Sequence, residues 1–219
     1  MKTTALSRLS GLSLLLGSAL VFIGAAGAAV YTGDRAQYVT EPAYIACNLL
    51  MTLGTPFVLL GLPGMYASRA AGYGRSGLLG MALLTVGVLV FNVFFGLLSA
   101  VMLPYLATRT PSLITDQWPP GILPLLIVGV LAWTAGNLLL GIPLLRGNVR
   151  PAWPGYLLVG GAVMEIVQFA VGNSNVVTSL VSALSGLMPF LALGGLGFQL
   201  WASRSSTATS MLSSSSATR

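Results

Sequence analysis

Apolar residues dominate the chain in six stretches that are each long enough to cross a lipid bilayer. An α-helix needs about 20 apolar residues to span the hydrocarbon core. Stretches of this kind lie at approximately 9–30, 43–66, 76–103, 121–145, 153–172 and 176–201. The segments between them are short and carry charges, prolines or asparagines, as turns between helices do. The pattern therefore predicts an all-α fold, a polytopic bundle of six transmembrane helices.

The composition supports a membrane environment, because 55% of the residues are hydrophobic, only 6% are charged and the mean hydropathy is +0.88. Soluble domains carry about 25% charged residues, whereas lipid tails solvate an apolar exterior without them. We expect residues 1–202 to form the transmembrane domain. Residues 203–219 are mostly Ser, Thr and Ala, and we expect them to form a disordered cytoplasmic tail.

The basic residues are distributed asymmetrically among the predicted turns, which orients the chain. If the six stretches alternate in direction, only Arg35 and Arg109 fall on one side. The other side holds Lys2, Arg8, Arg69, Arg75, Arg146, Arg150, Arg204 and Arg219. Cytoplasmic loops carry the excess of Lys and Arg, so both termini are predicted to be cytoplasmic. The net charge of +6 does not indicate a nucleic-acid partner, because the basic residues form no stripe.

The first stretch has a second interpretation as a secretory signal. Lys2 and Arg8, the apolar run and the small residues 25–29 resemble a signal peptide with its cleavage site. The run is long for a signal peptide and suits a full span, so we expect it to stay in the membrane.

Short segments recur along the chain. Leu59–Pro63 is similar to Leu139–Pro143, and Tyr66–Arg69 is similar to Trp201–Arg204. Each likeness joins helices of the same predicted direction, as three parallel helical-hairpin repeats would. Chance similarity is the alternative, since Leu and Gly are abundant throughout.

Missing residue types exclude several kinds of chemistry. The chain has no histidine, a single cysteine, Cys47, and a single lysine, Lys2. Imidazole catalysis, a disulfide within the chain, a thiolate metal cage and an intramembrane Schiff base are therefore excluded. We expect neither a metal nor a cofactor.

Glu165 is the one acidic residue near the middle of a predicted span. An ionisable side chain at such depth costs about 3 kcal/mol on insertion scales and is a functional candidate by default. No Lys or Arg lies within a span to pair with it, so we expect a neutral carboxyl group that can donate a hydrogen bond or a proton. Helical spacing puts Gly161 and Gln168 on the same face, which is predicted to look into the bundle.

Polar residues of the neighbouring spans complete the candidate site. Asn92 on the third span lies at a depth similar to that of Glu165, and a face of the second span carries Asn48. We predict Glu165 as a general acid. The predicted ligand-binding residues are Asn92, Asn137, Gln168, Trp133 and Asn48. The structural alternative is that these side chains only hydrogen-bond helices together.

Three functions are compatible with this pattern. The leading hypothesis is binding or transport of a small apolar or amphiphilic molecule in a cavity near Glu165, with membrane lipid and a lipophilic small molecule as partners. The second is an intramembrane enzyme, for example an acid-initiated terpenoid cyclase, in which Phe91, Phe94 and Phe95 stabilise developing cations. The third is an accessory subunit in which Glu165 holds helices together.

Two segments carry a resemblance to a known group of proteins. Arg8-Leu9-Ser10-Gly11-Leu12 and Leu59–Arg69 resemble the corresponding parts of uncharacterised six-span integral membrane proteins of actinobacteria and related soil bacteria. The resemblance is strongest over about the first hundred residues. It implies a location in the bacterial inner membrane, and it identifies no substrate or catalytic residue.

Overall fold

The computed structural model describes residues 2–31, 35–114, 121–146, 152–171 and 176–202. These ranges are almost entirely helical and contain no strand, which confirms the predicted all-α bundle. The predicted disordered tail, residues 203–219, lies outside the described residues.

Seven α-helices are found in the described ranges. In chain order they are α1 Lys2–Ala28, α2 Arg35–Tyr38, α3 Pro42–Ala70, α4 Gly72–Arg109, α5 Leu123–Arg146, α6 Trp153–Val171 and α7 Val176–Ala202. A single 3-10 turn, Pro111–Leu113, follows α4. Where α3 meets α4, the backbone leaves helical geometry only at Arg69, in the last turn of α3, and at Gly74, in the first turn of α4; their φ angles are −131° and +58°. Glycine adopts the positive φ at position 74 without the steric cost that a side chain would bring.

Five helices of the described chain are long and apolar enough to cross a membrane, namely α1, α3, α4, α5 and α7. The predicted count of six spans is therefore one too high by this measure, and the difference is α6. Its 19 residues fall within the range of about 17–25 that a spanning helix needs, but its fully described part, residues 153–168, is shorter than the 18 residues of a candidate span.

Six of the helices form a closed ring of antiparallel neighbours, in the order α1, α3, α4, α5, α6 and α7, with α7 packed against α1. Gly11 near the start of α1 lies against Gly197 and Trp201 near the end of α7. The beginning of α1 and the end of α7 therefore lie at the same end of the bundle. Three antiparallel hairpins are present, and their origin as repeats stays a prediction.

The two ends of the bundle are distinguished by their connections. We call the end that carries the Arg69–Gly74 connection the turn end. At the opposite end, which we call the tyrosine end, Tyr31, Tyr38 and Tyr44 pack with ring centroids 5.0–5.8 Å apart and hold the short helix α2.

Glycines set the close separation of neighbouring helices. A Cβ atom added to Gly17 of α1 would lie 2.5 Å from the backbone nitrogen of Val58 in α3, and one added to Gly136 of α5 would lie 2.5 Å from that of Leu84 in α4. Membrane helices associate through such close backbone approach because lipid supplies no hydrophobic driving force between them. Removal of α1 as a signal peptide would take away one wall of this ring.

Apolar side chains fill the half of the ring nearest the turn end. They are Leu14, Leu62, Met65, Leu84, Leu140, Leu144, Leu158, Leu193 and Leu196. Above them Trp133 of α5 contacts Phe91 of α4 and Phe190 of α7, with ring centroids 6.2 and 5.5 Å apart. We call these three residues the aromatic layer.

Candidate functional site

Glu165 lies on the buried face of α6, at the last buried position among its described residues. Buried positions on this helix recur every three or four residues, at 154–155, 158, 161–162 and 165, whereas Val163, Ile166 and Val167 are exposed. Since side chains with this spacing share one helix face, Glu165 projects into the ring between α5 and α7. Its side chain is only 9% exposed.

Helix α7 supplies the hydrogen-bond partner of this acid. The hydroxyl group of Ser185 hydrogen-bonds with the Glu165 carboxyl group and donates to Oε1 of Gln168 over 3.4 Å. Ser185 is 1% exposed. The structure thus brings together the predicted residues Glu165 and Gln168 through a serine that the sequence did not single out. The sequence contains Ser179, Ser182 and Ser185 on this span, and the neighbouring residues in the sequence do not distinguish the one that contacts an acid.

A proline shapes the position of Ser185. Pro189 lies four residues further along α7 and has no N–H group to donate to the Ser185 carbonyl oxygen. Gly161 of α6 lies at this point, where an added Cβ would be 3.2 Å from that oxygen and 2.9 Å from the Pro189 ring. Close approach at Gly161 therefore presents both the hydroxyl and the carbonyl group of Ser185 to α6.

Asn48 and Asn92 meet at a different helix pair, α3 and α4. The hydroxyl group of Thr52 donates a 2.9 Å hydrogen bond to the backbone oxygen of Asn92, while the Asn48 amide nitrogen donates to the Tyr44 carbonyl oxygen over 2.9 Å. Asn92 lies in a π-helical segment, Leu89–Phe94. Such a segment displaces the regular hydrogen-bond ladder and often marks functional sites.

Several of these polar residues lie beyond the aromatic layer, toward the tyrosine end. Gly87 of α4 packs against Trp133, and Asn92 comes five residues later along the same helix. Ser185 comes five residues before Phe190, which contacts Trp133 from α7. Asn92 directly follows Phe91 and so lies at the tyrosine-end edge of the aromatic layer, whereas Ser185 lies about one and a half turns from the layer on the same side.

Two buried polar atoms in this region have no hydrogen-bond partner, Nδ2 of Asn92 and Oγ1 of Thr134. The packing of Gly141 against Leu158 sets the register of α5 against α6. Thr134 comes seven residues before Gly141 on α5, and Glu165 comes seven residues after Leu158 on α6. Because the two helices are antiparallel, Thr134 and Glu165 lie at the same depth in the bundle. An unpaired buried polar atom costs about 1–3 kcal/mol. Such atoms are rare in native proteins, and binding of a ligand at the site is one explanation for them.

Asn137 and Trp133 occupy the middle of α5. Asn137 is fully buried and donates from Nδ2 to the Trp133 carbonyl oxygen over 3.0 Å, within its own helix. It lies one turn from Trp133 toward the turn end. Oδ1 of Asn137 and Nδ2 of Asn92 have no partner, so neither atom binds Glu165. The six predicted residues are thus divided among three places rather than gathered around one carboxyl group.

The chemistry open to this arrangement is that of a carboxyl group, a hydroxyl group and an amide in apolar surroundings. In the ranges that the structure describes, no group of three His, Cys, Asp or Glu residues could hold a metal ion. A carboxyl group paired with Ser185 and Gln168 can exchange hydrogen bonds, or a proton, with one polar group of a bound molecule. The chain matches no family model, no curated protein and no solved structure.

Proposed function

We propose that this protein binds a small amphiphilic molecule within the ring of helices, or carries it across the bilayer. The polar group of this molecule would meet Glu165 and Ser185, and its apolar part would rest on the aromatic layer. The observation that supports the proposal most strongly is that Glu165 is buried and faces the inside of the ring, whereas the outer face of its helix, α6, exposes apolar side chains.

The unpaired atoms indicate which polar groups the ligand would carry. Nδ2 of Asn92 is a donor and Oγ1 of Thr134 is both donor and acceptor. A ligand with a hydroxyl or carbonyl group would satisfy them, and this would offset the cost of burying them unpaired. Since the surroundings are apolar and no basic side chain within the described ranges is paired with Glu165, a neutral polar group suits the site better than a charged one.

The protein is further proposed to lie in a bacterial inner membrane with both termini in the cytoplasm. Arg69, Arg75 and Arg146 lie at the turn end, and Arg35 and Arg109 lie toward the tyrosine end. The positive-inside rule then assigns the turn end to the cytoplasm. Arg75→Cys and Arg109→Cys, each made in a Cys47→Ser background, test this on intact cells with a membrane-impermeant maleimide. Only the cysteine at position 109 should react, and reaction only at position 75 would reverse the orientation.

Ligand binding is tested by purifying the protein in mild detergent and analysing its organic extract by mass spectrometry. We expect one small amphiphile to be enriched over the bulk lipid with the wild type and with Glu41→Gln, whose acid lies at an exposed position. Glu165→Gln and Ser185→Ala should lose it. If the wild-type extract contains only bulk lipid, or if Glu165→Gln retains the same molecule, Glu165 holds helices together and the proposal is wrong.

A further inference from the structure

A second site lies at the turn end of the bundle, far from Glu165 along the helix axes. A cleft of about 510 Å³ opens there between the beginning of α4 and the end of α5. Its walls are formed by Gly72, Tyr73, Ser76, Leu139, Ile142, Pro143 and Arg146. The α5 wall is apolar over Leu139, Ile142 and Pro143 and ends at the exposed guanidinium group of Arg146. The cleft is therefore apolar toward the middle of the bundle and positively charged toward the turn end.

The α4 wall of the cleft holds a second set of polar groups. Tyr73 is 3% exposed and stacks on Tyr66 with ring centroids 6.2 Å apart. Its hydroxyl group interacts with the Arg69 guanidinium group, which acts on it both as a positive charge and as a hydrogen-bond donor, while Nη1 of Arg69 is buried without a partner among the described residues. Nη2 of Arg69 donates to Oε1 of Gln199 over 2.6 Å. The guanidinium group of Arg69 thus keeps one unpaired donor beside Tyr73, which forms part of the cleft wall.

No acidic side chain of the described residues balances the positive charge at this cleft. The acids in the described ranges are Glu41 and Glu165, and neither lines the cleft. Arg69 is partly buried and its resolved hydrogen-bond partner is a neutral amide. Arginine favours acceptors of the phosphate or carboxylate type because its planar donors match two oxygens at once.

We infer that this cleft binds the phosphate headgroup of an anionic phospholipid. Arg146 contacts the phosphate directly, Arg69 and the Tyr73 hydroxyl supply positive potential and donors from behind the wall, and one acyl chain lies along Leu139, Ile142 and Pro143. The apolar wall favours a lipid over a free phosphate ion. Basic pockets between membrane helices on the cytoplasmic side bind acidic lipid headgroups in this way. The inference does not depend on the proposed function at Glu165.

The test measures lipid binding to the purified full-length protein in detergent. Phosphatidylglycerol, phosphatidylcholine with the same acyl chains, and inorganic phosphate are titrated separately, and the bound lipid is counted by native mass spectrometry alongside the melting temperature. We expect phosphatidylglycerol to bind and to raise the melting temperature, and the other two to do neither. Arg146→Gln should weaken phosphatidylglycerol binding by about tenfold, the loss of one charge-assisted contact.

Two further variants separate the site from general surface charge. Arg75→Gln removes the same charge at the same end from an exposed residue that does not line the cleft, and it should leave binding unchanged. Tyr73→Phe removes only the hydroxyl group beside Arg69 and should weaken binding by a few fold while the protein stays folded. Equal losses in Arg75→Gln and Arg146→Gln would overturn the site. An equal response to phosphatidylcholine or to inorganic phosphate would overturn the choice of ligand.

Discussion

The hydroxyl group of Ser185 on α7 reaches the carboxyl group of Glu165 on α6, and both side chains are buried inside the ring of helices. Among the described residues Glu165 is the only buried acid. Glu165 projects into the ring between α5 and α7, and its only resolved hydrogen-bonding neighbour is a serine, so it is suited to contact with a bound molecule. Substitutions of these two residues can distinguish effects on stability from effects on ligand binding.

Glu165→Leu should lower the free energy of unfolding by about 1–2 kcal/mol, because the substitution removes the buried hydrogen bond between the carboxyl group and the Ser185 hydroxyl group. Glu165→Gln keeps the shape and a hydrogen-bonding group and should be nearly silent. Thermal unfolding in detergent measures both. In a Ser185→Ala background the cost of Glu165→Leu should largely disappear, and an unchanged cost there would mean that the two side chains are not coupled.

Asn92→Leu should raise the melting temperature, because it removes an amide nitrogen that is buried without a partner. The same variant should recover less of the bound amphiphile. Asn48→Leu is the matched control, since the Asn48 amide is already bonded to the Tyr44 carbonyl oxygen and its loss should bring no gain in stability. A lower melting temperature for Asn92→Leu would show that this amide has a structural partner.

Thr52→Val should cost about 0.6 kcal/mol, the average measured for side-chain hydrogen bonds between membrane helices. The hydroxyl group of Thr52 bonds to its own helix at the Asn48 carbonyl oxygen and also to Asn92 across the interface, both over 2.9 Å. Thr85→Val provides the control, because Thr85 bonds only to Met81 of its own helix in the structure. Equal melting temperatures for the two variants would contradict a bridging role for Thr52.

Gly136→Ala should destabilise the bundle by about 1–3 kcal/mol, the usual cost of overpacking, because the added methyl group meets the backbone of α4 at Leu84. Gly186→Ala is the same substitution in another helix at a position with no atom within 4 Å. It should be neutral or stabilise by up to about 1 kcal/mol, since alanine is the better helix former. Circular dichroism during heating compares the two, and the opposite order would contradict the helix packing described above.

The positions of the helices could be predicted closely from the sequence. The predicted stretches 121–145 and 153–172 correspond to Leu123–Arg146 and Trp153–Val171, because apolar length and flanking charges or prolines limit where a span begins and ends. The connection after α3 was less predictable. A separate basic turn was expected over 67–75, whereas helical geometry breaks only at Arg69 and Gly74, since Ala, Arg and Gly permit a helix to continue.

The candidate site could be predicted only in part. Glu165 is visible in the sequence because one acid interrupts an apolar run, and helical spacing is enough to associate Gln168 with it. The partner Ser185 and the neighbour Thr134 could not be identified, because the order of helices around the ring and their registers depend on packing between glycines. The π-helical segment around Asn92 also has no signal in the residue pattern, since its residues are ordinary helix formers in a membrane.

The most direct measurement of the central claim is the reaction of Glu165 with N,N′-dicyclohexylcarbodiimide, a small apolar reagent that modifies protonated carboxyl groups. Membranes that contain the protein are treated, and the modified residue is located by mass spectrometry, with Glu165→Gln and Glu41→Gln as controls. We predict one adduct at Glu165, present in the wild type and in Glu41→Gln and absent from Glu165→Gln. If Glu165 stays unmodified in the folded protein and reacts only after unfolding, the acid is sealed between helices and no small molecule reaches it.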